Sequence, residues 1–410
     1  MPKGPGFLPR AAATSRRFAA LLLTSGLALG CSTVSFQSPG TAAAMVDQPS
    51  PILLSAPRLS PDGTAILFAF KYGNLPYKLA VVSSDPADTR VAVQLAPPSL
   101  HWTEAAWAPD GVGFAAVSRC EGDNCYEGAR GHHVWFFTGR SGPDNLRRLT
   151  PERAGVRRSR PFFGRSAGEV YWVFSSDKRY EGVPISLNPN FIARAEGGRE
   201  AILLPDDPEF LGNGAIRSAK ASFRTLDPAG SFGDGGLYFV GRPLSGTLPA
   251  VSAAVKGKLR NEPRLFRWQG GEALELVREA PVSAVDAQRS GGGYATAAST
   301  PNFAGRPVDF DVVRGGVAER RLSFDQGNVF AMSVSERMDA IAFASFRSPR
   351  EQVRFWVHRE GMAQAVDLNI AERVRREVEF QIQREANEAA AEREASRATP
   401  APPRPAAAPR

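Results

Sequence analysis

Along residues 59–70, "LSPDGTAILFAF", a polar corner of Ser60, Pro61, Asp62 and Gly63 gives way to a run of apolar residues, and "WAPDGVGFAAVS" repeats the arrangement around Gly111. Four further copies follow: "SAGEVYWVFSS" around Gly168, "GDGGLYFVG" around Gly235, "SGGGYATAAS" around Gly292 and "SERMDAIAFASF" around Met338. The spacings are 48, 57, 67, 57 and 46 residues, the length of a four-stranded unit with variable loops. Pro presets φ at the first corner, Asp bonds the backbone ahead of it and Gly takes a positive φ, so each copy reads as a turn entering a strand. In the last copy Ser335, Ala340, Ile341, Phe343 and Ala344 fall where Ser60, Ala65, Ile66, Phe68 and Ala69 fall in the first.

Every unit carries two more short apolar runs. The third strands are "KLAVVSS", "HVWFFTG", "FIARAEG", "RLFRWQG", "DFDVVRGG" and "VRFWVHREG". The fourth are "VAVQLA", "LRRLTP", "EAILLP", "LELVRE", "RRLSF" and "AQAVDL". Turn residues separate them, as hairpins require, and their β-branched and aromatic content suits packing between neighbouring sheets. The pattern predicts an all-β chain: a six-bladed β-propeller of four-stranded antiparallel blades over residues 50–368. Residues 369–395 change character, being charged and rich in helix formers, with Ile370, Val374, Val378 and Ile382 repeating every four positions. This predicts a C-terminal helix with a narrow apolar stripe that docks on the propeller or, as the alternative, on a partner, with Asn369 as its N-cap. The Pro/Ala-rich residues 396–410 cannot bury a core and are expected to be disordered.

The blade motifs "LSPDGTAILFAF", "WAPDGVGFAAVS" and "RRLTP" resemble those of TolB-like β-propellers, over about residues 50–368. The resemblance implies the propeller and not its activity, since similar blades occur in the regulatory domain of prolyl oligopeptidases and in stand-alone binding proteins. The chain has no room for the α/β domain that precedes the TolB propeller, so no partner-binding residue carries over.

Composition adds a compartment. With 410 residues, 43% hydrophobic, 22% charged and 33 prolines, the chain can bury a large core and is rich in turns. The net charge of +8 includes Lys3, Arg10, Arg16 and Arg17 in an acid-free N-terminus, which leaves 46 basic against 42 acidic residues beyond it. That balance is too mild for a nucleic-acid partner. The basic start and the short apolar run "FAALLLTSGLALG" read as a signal peptide over residues 1–30. The run ends in "LALGCS", which resembles the lipobox of bacterial lipoproteins, with Ala28 standing where Leu is usual. The resemblance implies that Cys31 is acylated and that residues 31–49 link the anchor to the propeller. Ser32 stands where Asp would resemble an inner-membrane retention signal, so the expected location is the periplasmic side of the outer membrane. Cys120 and Cys125 remain, and in an oxidising periplasm "CEGDNC" is expected to close as a disulfide.

The chemistry-bearing motifs are few. "GRSAG", residues 164–168, has the form of a hydrolase nucleophile elbow, but "EVYWVF" after it is a strand where the elbow needs a helix. The histidines, at 101, 132, 133 and 358, show no metal-ligand spacing, and no metal or cofactor is expected. The second and third units carry long polar insertions, "CEGDNCYEGARGHH" and "SSDKRYEGVPISLNPN", both between second and third strands and so on one face. Tyr126, Arg130, Arg179 and Tyr180 are the candidate partner-binding residues there, because Tyr and Arg dominate contact energies. The expected function is a lipid-anchored module that binds an envelope protein. The alternative is a propeller hydrolase or lyase, which would need three or more acids or histidines, or a metal, gathered at the channel.

Overall fold

In the first turn, the Ser60 hydroxyl donates to Asp62 Oδ1 at 2.5 Å and the Thr64 N–H donates to the same oxygen at 3.0 Å, while Ser60 Oγ accepts the Ala65 N–H at 2.9 Å. Gly63 completes the corner at φ +75°, and a Cβ there would stand 3.2 Å from the Ser335 Cβ of the last turn. That last turn is built the same way. Ser335 donates to Asp339 at 2.5 Å and accepts the Ala340 N–H at 3.1 Å, with Met338 holding the glycine's left-handed conformation at φ 56°.

The computed structural model describes residues 52–398 except 95–99, 121–130, 140–145, 154, 177–189, 197–198, 205–208, 211–215, 218–221, 234–235, 246–261, 270–273, 291, 299–306 and 349–350. Six antiparallel sheets follow one another along the chain, each pairing its strands in sequence order. Blade 1 comprises Ala65–Tyr72, Lys78–Ser83 and Val91–Gln94, with Ile52–Leu54 and Arg58–Leu59 both paired to Ala65–Tyr72 as an interrupted innermost strand. Blade 2 is His101–Trp107, Phe114–Cys120, Gly131–Phe137 and Leu146–Arg148; blade 3 is Val156–Phe163, Val170–Ser176, Phe191–Glu196 and Arg199–Leu204. Blade 4 is Ser222–Gly233, Gly236–Ser245, Arg264–Trp268 and Leu274–Arg278; blade 5 is Val282–Ala287, Tyr294–Ala298, Val308–Arg314 and Val317–Phe324. Blade 6 is Asn328–Val334, Ala340–Phe346, Arg354–Arg359 and Val366–Asp367. The fold is the six-bladed β-propeller that the repeat predicts. A two-stranded ribbon, Glu209–Phe210 with Ile216–Arg217, lies between blades 3 and 4 in the chain and is absent from the repeat pattern.

The core is divided among the blade boundaries. One hydrophobic cluster fills each of them, as with Trp102, Phe114 and Trp135 of blade 2 against Leu67 and Leu79 of blade 1. The other five lie between blades 2 and 3, 3 and 4, 4 and 5, 5 and 6, and 6 and 1. Among the described residues no strand is exchanged between the first and last blades, and the ring closes through side-chain packing and a few hydrogen bonds. Phe68 of blade 1 meets Phe355 of blade 6 edge-on, with ring centroids 5.2 Å apart. Polar groups cross the same seam: the Leu59 N–H donates to Ser333 Oγ at 3.0 Å, and Arg359 donates to the Gly63 carbonyl at 3.0 Å and to Ser84 Oγ at 2.6 Å.

Helix α1, Ile370–Ala398, covers that seam. Ile370, Val374 and Val378 enter the cluster formed by blades 1 and 6, and Arg373 donates to the carbonyls of Pro86 and Asp88, both at 2.7 Å. The stripe of four-residue spacing thus docks through its first three members, whereas Ile382, the fourth, is 47% exposed. Asn369 precedes the helix in a left-handed conformation, φ 51°, and its carbonyl accepts the N–H groups of Glu372 and Arg373. Among the described residues no helix is long and apolar enough to cross a membrane.

Candidate functional site

Innermost strands of consecutive blades touch round the ring and enclose a central channel. An edge strand facing a channel offers unpaired backbone groups, and bulges are a common way to twist such an edge and re-aim a side chain. Every innermost strand here is irregular. Blade 1 is interrupted between Leu54 and Arg58, and blades 2, 3, 5 and 6 lose register between Trp102 and Glu104, Ser159 and Phe162, Val282 and Ala284, and Val329 and Ala331. Blade 4 slips at several positions. The residues left out of register include Thr103, Arg160, Ser283 and Phe330. Arg160 sits at φ 51° and its N–H donates to the Glu104 carboxylate, which ties blade 3 to blade 2. Phe330 is 38% exposed with its ring tilted on Phe346.

The other end of each innermost strand leads into the repeated turn, and there a side chain spans the channel. Arg289, from the blade 5 turn, donates to the carbonyl oxygens of Trp107 and Ala108 in blade 2 at 3.2 and 3.4 Å. Blades 2 and 5 stand opposite each other in a ring of six, so this side chain crosses the channel. Glu336 of the blade 6 turn accepts the N–H groups of Arg289 and Ser290 at 3.2 and 2.9 Å together with the Ser290 hydroxyl, and its own N–H donates to the Pro61 carbonyl at 2.8 Å. Asp286 is buried beside them, accepting from the Val334 N–H at 2.8 Å and the Ala287 N–H at 3.0 Å. Burial pushes its carboxyl above the ordinary range, opposed by the charge of Arg58 and by the bonds from Val334, Ser333 and Ala287. Burial likewise lowers the Arg289 guanidinium, opposed by Asp286 and Glu336.

This arrangement joins blades 1, 2, 5 and 6 at one mouth. Asp286, Glu336 and Asp110 all approach it, and each carboxylate accepts backbone N–H donors, Asp110 those of Val112 and Gly113. Among the described residues no three His, Cys, Asp or Glu side chains are placed to hold a metal ion.

Ser166 lies in a strand-turn-strand, between Val156–Phe163 and Val170–Ser176, where Glu169 accepts the N–H groups of Arg165 and Ser166; the hydrolase elbow is absent, as the sequence indicates. His133 is buried with Nδ1 3.1 Å from Thr150 Oγ1, and His358 has Nε2 3.0 Å from the Met362 carbonyl. Cys120 ends its strand buried. Cys31, Cys125, Tyr126, Arg130, Arg179 and Tyr180 lie outside the described residues. Phe114–Cys120 and Val170–Ser176, the second strands of their blades, end on the face opposite the Arg289 crossing. Neither the Arg289 crossing nor the Asp286 knot follows from the repeat, because the partners of Arg289 lie 181 and 182 residues away.

Neither a family model nor a curated protein matches the sequence. Among solved structures the chain is similar to the acylaminoacyl peptidase of Pyrococcus horikoshii, at 12% identity and TM-score 0.43 over 77% of this chain and 44% of that one. It is similar to TolB from Acinetobacter baumannii at 11% identity and TM-score 0.44, over 73% and 62% of the two chains. It is also similar to oligogalacturonate lyase from Vibrio parahaemolyticus at 9% identity and TM-score 0.42, over 78% and 79%. The likeness is one of fold. The chain spans less than half of the peptidase and under two thirds of TolB.

Proposed function

We propose that the protein is a binding module of the bacterial envelope, anchored through an acylated Cys31 at the periplasmic side of the outer membrane, that takes a protein partner at its loop face. The observation that carries this reading is the Arg289 side chain that spans the channel at the turn face, beside carboxylates that accept backbone N–H donors. A partner then has the opposite face, where the bulged strands begin and where the insertions 121–130 and 177–189 connect their strands. On this reading Cys120 and Cys125 pair to staple the first insertion, and Tyr126, Arg130, Arg179 and Tyr180 are its contact anchors.

A photo-crosslinking residue at Phe330, on the loop-face end of its strand, is expected to capture an envelope protein in cells, and one at Arg337, exposed in the blade 6 turn, is not. Capture at Arg337 alone would move the interface to the other face, and capture at neither would remove the binding role. Independently, Cys31→Ser is expected to shift the protein from the membrane fraction to the soluble periplasmic extract, because acyl chains supply most of such membrane affinity. Unchanged fractionation would remove the lipid anchor.

A further inference from the structure

We propose that the loop face looks toward the membrane that holds the Cys31 anchor, so that its partner is the periplasmic surface of a protein integral to that membrane. This rests on the reading that Cys31 is acylated and that the loop face takes the partner. The chain reaches the propeller on that face. Strand Ile52–Leu54 pairs Ile52 with Tyr72 and Leu54 with Phe70, and Tyr72 is the end of its strand remote from the Gly63 turn. Helix α1 leaves the body at the same place. Arg373 is bonded to the carbonyls of Pro86 and Asp88, which follow the Ser83 end of its strand, paired with Ala65, and so lie on the turn face. Two turns later the Tyr72 hydroxyl donates to Glu379 Oε1 at 3.0 Å, and Val378 shares a cluster with Ile52. The helix thus climbs the rim from the turn face to the loop face. Beyond Ile382 the docking stops: residues 383–394 are exposed except for Ala389, which is partly buried. At 1.5 Å per residue, residues 383–398 make an arm about 24 Å long.

Twenty residues separate Cys31 from Ile52. A flexible chain of that length has a root-mean-square span of roughly 25 Å. The body is about as tall, since the eight residues Ala65–Tyr72 rise about 3.3 Å each. With the loop face toward the bilayer the whole span is available to bridge the gap, and its length matches the arm. With the turn face toward the bilayer the same span would be used up in running back along the rim. The arm suits a protein neighbour better than lipid, because residues 383–398 carry three Arg against four Glu and no apolar residue larger than alanine. Anionic headgroups attract clustered Lys and Arg, and a helix that lies in the interface needs a large apolar face. A partner seated on the loop face meets the half-exposed ring of Phe330 on blade 6 and the arm at the seam of blades 6 and 1. A gap as deep as the arm is long fits the periplasmic loops of a protein held in the same bilayer.

The test seats the full-length protein, purified from membranes, on vesicles of phosphatidylethanolamine and phosphatidylglycerol that carry an acceptor dye on their headgroups. A fluorescent unnatural residue replaces Leu75 on the loop face, Val112 on the turn face or Ala390 on the arm, all three exposed. Energy transfer is expected to be at least twofold stronger from Leu75 than from Val112, and strongest from Ala390. Equal transfer from the two faces, or stronger transfer from Val112, would overturn the proposed orientation. In cells, a photo-crosslinking residue at Ala390 is expected to trap the same protein as one at Phe330, recovered only when detergent dissolves the membrane. A soluble protein trapped at Phe330, or different proteins at the two positions, would overturn the proposed partner while leaving the binding role in place. If Cys31→Ser stays in the membrane fraction, or Phe330 traps nothing, the anchored-module reading fails and this inference falls with it. If the anchor and the capture both hold and only the order of the transfer signals is reversed, the orientation alone fails.

Discussion

Val374→Asp is expected to destabilise the propeller by about 4 kcal/mol or more, because it places a carboxylate in the apolar seam between the first and last blades. Ile370, Val374 and Val378 are each 6% exposed or less, and burying such side chains contributes roughly 1.5–3 kcal/mol apiece. The matching change at Ile382, one step further along the same stripe but 47% exposed, is expected to stay within about 0.5 kcal/mol of wild type. Denaturant midpoints of the two variants measure the difference, and proteolysis reports where it acts. Undocking of α1 should open cleavage sites between 370 and 398 in Val374→Asp at protease levels that spare Ile382→Asp. Equal midpoints would show that the ring closes without its helix.

A second large effect is expected at Arg158. Its guanidinium grips Glu200 with two bonds of 2.8 Å, the Trp172 indole N–H donates to the same carboxylate at 2.7 Å, and Arg158 also reaches the His132 carbonyl of blade 2 at 2.6 Å. Both side chains are almost fully buried, 1% and 3% exposed. Removing one member leaves a buried, uncompensated charge, which costs roughly 3–5 kcal/mol, whereas replacing both by apolar residues of similar volume is often close to neutral. Arg158→Met is therefore expected to lower stability by that amount, and Arg158→Met with Glu200→Leu to recover most of it. A double variant as unstable as the single one would mean that the bonds to His132 and Trp172 matter more than the ion pair.

The repeat made the blades legible because each hairpin is specified locally: Ser60, Asp62 and Gly63 satisfy one another within a few residues, and Ser335 with Asp339 does so again at the other end of the ring. The same locality explains what stayed hidden. Arg158 and Glu200 are 42 residues apart, and Arg289 meets a carbonyl 182 residues away, distances at which side-chain type says nothing about partner. The docking stripe of α1 could be read from its four-residue period, but not where it ends, since Ile382 continues the period after the propeller surface has fallen away. The bulges on the innermost strands have no signature in the apolar alternation, because an extra residue such as Thr103 or Ser283 is an ordinary strand residue by type. Of the candidate site, the loop face was inferred from insertion length, and the closed floor came only from the fold.

Because among the described residues every blade is assembled from strands consecutive in sequence and none borrows a strand from the far end of the chain, assembly can follow the order of synthesis. A nascent chain can complete blade after blade, each adding its face to the one before, without waiting for a distant partner strand. What cannot form early is the junction of blade 1 with blade 6. Until residues 340–357 arrive, Ile66, Phe68 and Phe70 present an apolar wall to solvent, and until residues 370–378 arrive the junction stays uncovered. A growing chain would therefore be most prone to stick to its neighbours, or to need a chaperone, in the interval between its second blade and its C-terminal helix.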